Sequence, residues 1–148
     1  MLKKLIQTPN DTAALVARLT LGVVMFPHGA QKVLGWFGGY GFSGTMGFFT
    51  GQMGIPAVFA FLAILAEFAG SLGLITGLLS RVAAFGIASV MLVAIFMGHL
   101  DNGFFMNWFG NQKGEGYEYH LLAIGLALIV MIRGGGKYSV DQKLSEKI

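Results

Sequence analysis

ALVARLTLGVVMFPHGAQK, residues 14–32, decides how this chain is read. Its first part suits hydrocarbon apart from Arg18, while its end, FPHGAQK (26–32), takes on a proline, a histidine, a glutamine and a lysine. With its flanks the segment covers about residues 12–34, long enough to cross a bilayer at roughly 1.5 Å per helical residue. It reads as one membrane span whose outer end turns polar.

The rest of the chain fits that start. Of 148 residues, 55% are hydrophobic and only 11% charged, with a mean hydropathy of +0.69. A soluble domain carries about 25% charged residues. Further apolar stretches follow at about 55–79, 81–100 and 117–133. The expected architecture is therefore all-α: an integral membrane four-helix bundle forming a single domain over residues 1–148. Asn10 or Asp11 suits the start of the first span, Pro56 the first turn of the second, and Gly134-Gly135-Gly136 the end of the fourth. No A-x-A-like cleavage site follows a compact apolar core, so the first span is read as retained.

Several function classes drop out. The chain has no cysteine, which excludes thiol catalysis, cysteine-ligated clusters and disulfides. The net charge of +3 forms no base-reading patch, so nucleic acid is not an expected partner. No metal triad, phosphate loop, dinucleotide fingerprint or Ser-His-Asp set occurs. Nothing in the spacing of the three histidines selects a haem-ligating pair.

The cations orient the spans. Lys3, Lys4, Arg81, Arg133, Lys137, Lys143 and Lys147 fall on one side, and Lys32 and Lys113 on the other. Seven against two places both termini in the cytoplasm. The outer loops are rich in glycine and aromatics: GWFGGYGFSGTMGFFTGQMG (35–54) and DNGFFMNWFGNQKGEGYEY (101–119). These aromatics suit an interfacial belt or a lid over a membrane cavity. The segment SGTMGFFTGQ (43–52) suits a short helix lying in the interface.

Ionisable groups inside spans cost on the order of 2.5–3.5 kcal/mol each, so each asks for a reason. Arg18, Gly22, Met25, Gly29 and Lys32 share one helical face of the first span, with His28 on its edge. Ala60, Ala63, Gly70, Ser71 and Gly77 share the face of Glu67, which sits near the midplane. Small residues there allow close helix approach, so the two polar faces are expected to meet. Two arrangements stay open: Glu67 pairs with Arg18 and fixes helix register, or Glu67, His28, His99 and His120 surround a polar cavity open to the outer face. Lys32 is long enough to snorkel to the outer surface, and Glu118 suits a solvated helix start.

Five segments then combine into a pattern: Arg18 and Gly22 as R-x-x-x-G, HGAQKVLGWFGG (28–39), GFSGTMGFFTGQMGIP (41–56), AEFAGSLGLITGLLSR (66–81) and GGGKYSVD (134–141). In this order and spacing the chain resembles the DoxX family of small four-span bacterial membrane proteins, over nearly its whole length. The resemblance implies an inner-membrane bundle of a kind often labelled an oxidoreductase. The family's name-giving relatives belong to a thiosulfate:quinone oxidoreductase, and other members are linked to quinone or thiol stress and to membrane redox complexes. Positions matching its polar signature are Arg18, His28, Lys32, Glu67, Arg81 and His99, with His120 a further match.

The function expected is thus a quinone-linked membrane redox subunit, with no cofactor evident in the chain itself. Glu67, His28 and His99 are the candidate catalytic groups; Arg18, Lys32, Trp36, His120 and Glu118 are candidates for contacting the ligand. A quinone ring would lie against Met25, Phe26, Trp36 or Phe49, with its oxygens on His28, Lys32 or Glu67. Electrons would come from another protein, a soluble or membrane redox partner, or from a small reductant, and assembly with further copies of the chain stays open. The alternative is non-enzymatic: a small-molecule permease or binding protein, or a scaffold for a partner redox enzyme.

Overall fold

Asp11 starts the first long helix. Its backbone is extended, and its carboxylate accepts from the N–H groups of Ala13 and Ala14, donors that no carbonyl of the helix can reach. Arg133, 2.7 Å from the other Asp11 oxygen, holds that carboxyl below the ordinary carboxylate range. The helix then runs unbroken through Pro27 to Leu34 and ends on Gly35, whose φ of 71° is a left-handed cap.

The computed structural model describes residues 2–147 and is all-helical, with no strand among them. The helices are α1 (Leu2–Ile6), α2 (Thr12–Leu34), α3 (Gly41–Gly47), α4 (Ala57–Thr76), α5 (Ser80–Ala94), α6 (Glu118–Arg133) and α7 (Val140–Ser145). A π-helical turn at Phe48–Gln52 continues α3, which makes the first loop helical over most of its length. Another, at Ile95–His99, and a 3-10 turn extend α5 to Asn102. Three helices are long and apolar enough to cross a membrane: Thr12–Leu34, Ala57–Thr76 and Ser80–Asn102. The fourth long helix, α6, has 16 residues, short of the roughly 20 that a span needs. Its first turn is fixed by Glu118, whose backbone N–H bonds to Phe104 O and whose carboxylate holds the preceding loop.

Helix α2 packs along α4 and against α6, and α5 packs against the same two helices. Leu21, Met25, Leu74, Ile87, Met91, Ala127 and Val130 fill the space between them. Glycines set the α2–α4 register. A Cβ on Gly22 would lie 3.0 Å from Leu74 and Ile75 atoms, and one on Gly29 would lie 2.6 Å from the Phe68 Cα. The helices are therefore antiparallel, and Glu67 lies opposite residue 30. The outward faces carry exposed Val23, Phe59, Phe85, Phe96, Leu122 and Ile132, an apolar perimeter that water would not favour.

The end of the molecule that carries both chain termini is closed by polar caps. Arg18, only 2% exposed, donates to the carbonyls of Gly135 (Nε, 2.8 Å), Leu74 and Ile75 (Nη1, 2.6 and 2.7 Å) and Lys137 (Nη2, 3.3 Å). It thus satisfies the last turn of α4 and the glycine-rich segment after α6. The Arg18–Glu67 pair considered from the sequence does not form. Glu67 is twelve residues up the register from Arg18, about 18 Å along the helix axis. At the same end, Asp141 accepts from the backbone N–H groups of Leu79 and Ser80 and so caps α5.

Candidate functional site

A polar layer lies toward the opposite end, where the aromatic loops are. Lys32 is one turn past Gly29 on α2, and Glu67 is centred on α4 beside the same close approach. The two residues differ by only two positions in the register, about 3 Å of rise. The Lys32 Nζ accordingly lies 2.5 Å from Glu67 Oε2, with side-chain exposures of 23% and 6%. Their contact is an ion pair rather than an aligned hydrogen bond, because Oε2 has no hydrogen-bond donor. Lys32 therefore turns inward to a counter-charge instead of reaching the outer surface.

His28 and Tyr119 flank the pair. The His28 ring lies 6.1 Å from the Tyr119 ring, and His28 is within electrostatic reach of both Lys32 and Glu67. His28 is exposed at the surface of α2, since its position falls just off the face that packs on α4. Tyr119 bridges α6 to α2 through its hydroxyl, 3.4 Å from Met25 Sδ. Beside them Phe26 of α2 stacks on Phe68 of α4 with ring centroids 6.2 Å apart. An exposed imidazole thus borders a buried charge pair and a half-buried aromatic step.

The histidines of α5 and α6 form the next part of the layer. The π turn places His99 with its ring centroid 4.1 Å from that of His120. His99 Nδ1 is 2.8 Å from Glu115 O, so that nitrogen carries the hydrogen and Nε2 remains as an acceptor in the neutral ring. His120 is buried, with Nδ1 lacking a hydrogen-bond partner, and packs edge-on against Tyr119 at 5.5 Å. His28, Lys32, Glu67, Tyr119, His120 and His99 are therefore consecutive neighbours across α2, α4, α6 and the extension of α5.

Three of the residues singled out by sequence are not brought to this layer. Arg18 is committed to four carbonyls at the far end. Glu118 accepts from the Met106 N–H (2.8 Å) and the Trp108 indole (3.3 Å), so it organises the second loop. Trp36 is 54% exposed and packs edge-on to Phe37. Tyr119 was the residue that sequence reasoning passed over; its signal is its position between Glu118 and His120 at the start of α6. Two surface cavities lie elsewhere. One of about 360 Å³ is lined by Lys4, Gln7, Thr8, Pro9 and Arg81, and one of about 280 Å³ by Tyr40, Gly44, Phe48 and Gln52. No cluster of three metal-ligating His, Cys, Asp or Glu side chains occurs among the described residues.

Comparison with known proteins adds two findings. A family model described as DoxX matches residues 13–100. The chain is also 30% identical over 138 residues to the inner membrane protein YqjF of Escherichia coli (strain K12), covering 93% of this chain and 96% of that protein. No solved structure matches it.

Proposed function

The chain belongs to the DoxX family, and we propose that it is a single-domain, four-helix inner-membrane protein that binds a quinone at the polar layer around Glu67 as a subunit of a membrane redox system. Both termini face the cytoplasm, following the distribution of Lys and Arg. The fourth helix spans with the help of its aromatic start, Tyr117 and Tyr119, at interface depth. The first loop, α3 with its π turn, lies in the outer interface. The location of the similar Escherichia coli protein in the inner membrane supports the placement.

The observation that carries the ligand assignment is the exposed His28 next to the buried Lys32–Glu67 pair. A quinone presents two carbonyl oxygens on an apolar ring. The ring suits the Phe26–Phe68 step, and a carbonyl oxygen suits an N–H of His28 or the Lys32 ammonium as donor. Reduction to the quinol adds two electrons and two protons. The electrons come from another protein or from a small reductant. Lys32, Glu67 and the histidines are the proton-exchanging groups of this layer and can hold and pass the protons. Glu67, His28 and His99 are the proton-handling residues of this scheme, and Lys32 and His120 support them. Arg18, Glu118 and Trp36 are assigned to architecture.

The two cavities described above lie away from the polar layer, which leaves a second, non-enzymatic function as a scaffold for a partner enzyme. Extraction and mass spectrometry of lipid-soluble molecules from the purified full chain separate the two. Quinone enriched over its ratio in bulk membrane lipid, and reduced about tenfold in His28→Ala, is the outcome the quinone function requires. Quinone at the bulk ratio in the wild-type protein removes it.

A further inference from the structure

The cavity at the terminal end has a composition that the polar layer does not explain. Lys4 of α1 and Arg81 of α5 supply its two cations, and no acid lines the wall. Among the described residues neither cation is in an ion pair, whereas Arg133 nearby pairs with Asp11. Arg81 donates Nη1 to the carbonyls of Met131 and Ile132 and Nη2 to Gln7 O. Those bonds fix the guanidinium without neutralising it, and they tie α5, the end of α6 and the N-terminal segment together around the cavity. Thr8, whose hydroxyl bonds Arg133 O and Gly136 N–H, holds the wall on the other side.

The surroundings are apolar on the outward side. Leu5, Val82, Phe85 and Ile132 are all exposed, at 42%, 47%, 60% and 72%. Val82 follows Arg81 directly, Phe85 stands one turn on, and the Ile132 carbonyl touches the guanidinium. A cavity of positive charge thus opens where an apolar helix surface begins. An anionic amphiphile matches both parts, with a charged head among Lys4, Arg81 and Thr8 and chains along Val82, Phe85 and Ile132. Free phosphate matches only the first.

We propose that this cavity is a binding site for the phosphodiester headgroup of an anionic phospholipid. The site anchors α1 and the glycine-rich segment to the bilayer surface. The proposal rests on the membrane placement of the chain but not on quinone binding, and it holds whichever side of the membrane the termini occupy.

Native mass spectrometry of the full chain, released from mixed micelles containing phosphatidylglycerol and phosphatidylcholine in equal amounts, tests it. Arg81 is a cap for α6 and is left intact; the variants are Lys4→Gln, at the cavity, and Lys3→Gln, on the same helix but off the cavity wall. The wild-type protein should retain phosphatidylglycerol in preference to phosphatidylcholine. Lys4→Gln should lower that retention about fivefold, the weight of one cation near an anionic surface, with Lys3→Gln near wild type. Equal retention of both lipids would show no preference for the anionic headgroup, and equal losses in the two variants would show diffuse surface attraction; either result overturns the site. Displacement of the lipid by millimolar inorganic phosphate would assign the cavity to a free anion and overturn the lipid assignment.

Discussion

Lys32 and Glu67 illustrate how a membrane protein can afford charges near its core. Either alone would carry a penalty of several kcal/mol in hydrocarbon; together, at 2.5 Å, each removes most of the other's. Glu67→Gln should destabilise the protein by about 2–3 kcal/mol. That is below the roughly 3–5 kcal/mol of a fully buried pair, because Lys32 keeps 23% of its side chain exposed. The double variant Lys32→Met/Glu67→Met should recover wild-type stability or exceed it, since apolar replacements of buried pairs are often neutral or stabilising. Unfolding by denaturing detergent in micelles reads both effects. A double variant as unstable as Glu67→Gln would show that the pair is a structural requirement and would weaken its assignment to proton handling. From sequence alone Glu67 was open between a pair with Arg18 and a polar cavity shared with the three histidines, and Lys32 was read as reaching outward. Arg18 was placed within reach because depth was counted from span ends, whereas the true register is set by Gly29 pressing on the α4 backbone.

At the scale of elements, that contact is the most sensitive point. Gly29→Ala would bring a Cβ within 2.6–2.8 Å of the backbone of Glu67 and Phe68, where no side chain can swing aside. The helices must separate, which should cost about 3 kcal/mol or more, at or above the usual range for overpacking. The same shift draws Lys32 from Glu67. Gly47→Ala, in α3 with open space around its Cβ, is the control and should change unfolding little. If Gly29→Ala unfolds at the wild-type midpoint, the α2–α4 register described here is wrong. The apolar runs, the cap at Asp11 and the stop at Gly35 were legible because they are local properties of the chain. The cap that Asp141 provides for α5 was not, because it spans sixty residues and depends on α7 folding back under the bundle of long helices. His99 and His120 were readable as polar residues near one boundary, but their pairing depends on the π turn that ends α5, and no sequence pattern announces it.

Considered as a whole, the molecule has an apolar perimeter, one end tied shut by arginine caps and the other carrying a layer of ionisable groups beneath aromatic loops. Arg18 and Arg81 complete helix ends at the closed end, a structural role for both arginines. The layer of His28, Lys32, Glu67, Tyr119, His120 and His99 is different, since it holds charge and proton-exchanging groups that packing alone would not select. A photoreactive quinone analogue applied to the full chain in proteoliposomes, with the labelled residues mapped by peptide mass spectrometry, tests this most directly. Labelling concentrated on the α2 segment around Phe26 and His28 and on Tyr119 of α6, and suppressed by excess unlabelled quinone, is the predicted result. Labelling spread evenly over outward residues such as Phe59, Phe96 and Leu122, and unaffected by competitor, would contradict it.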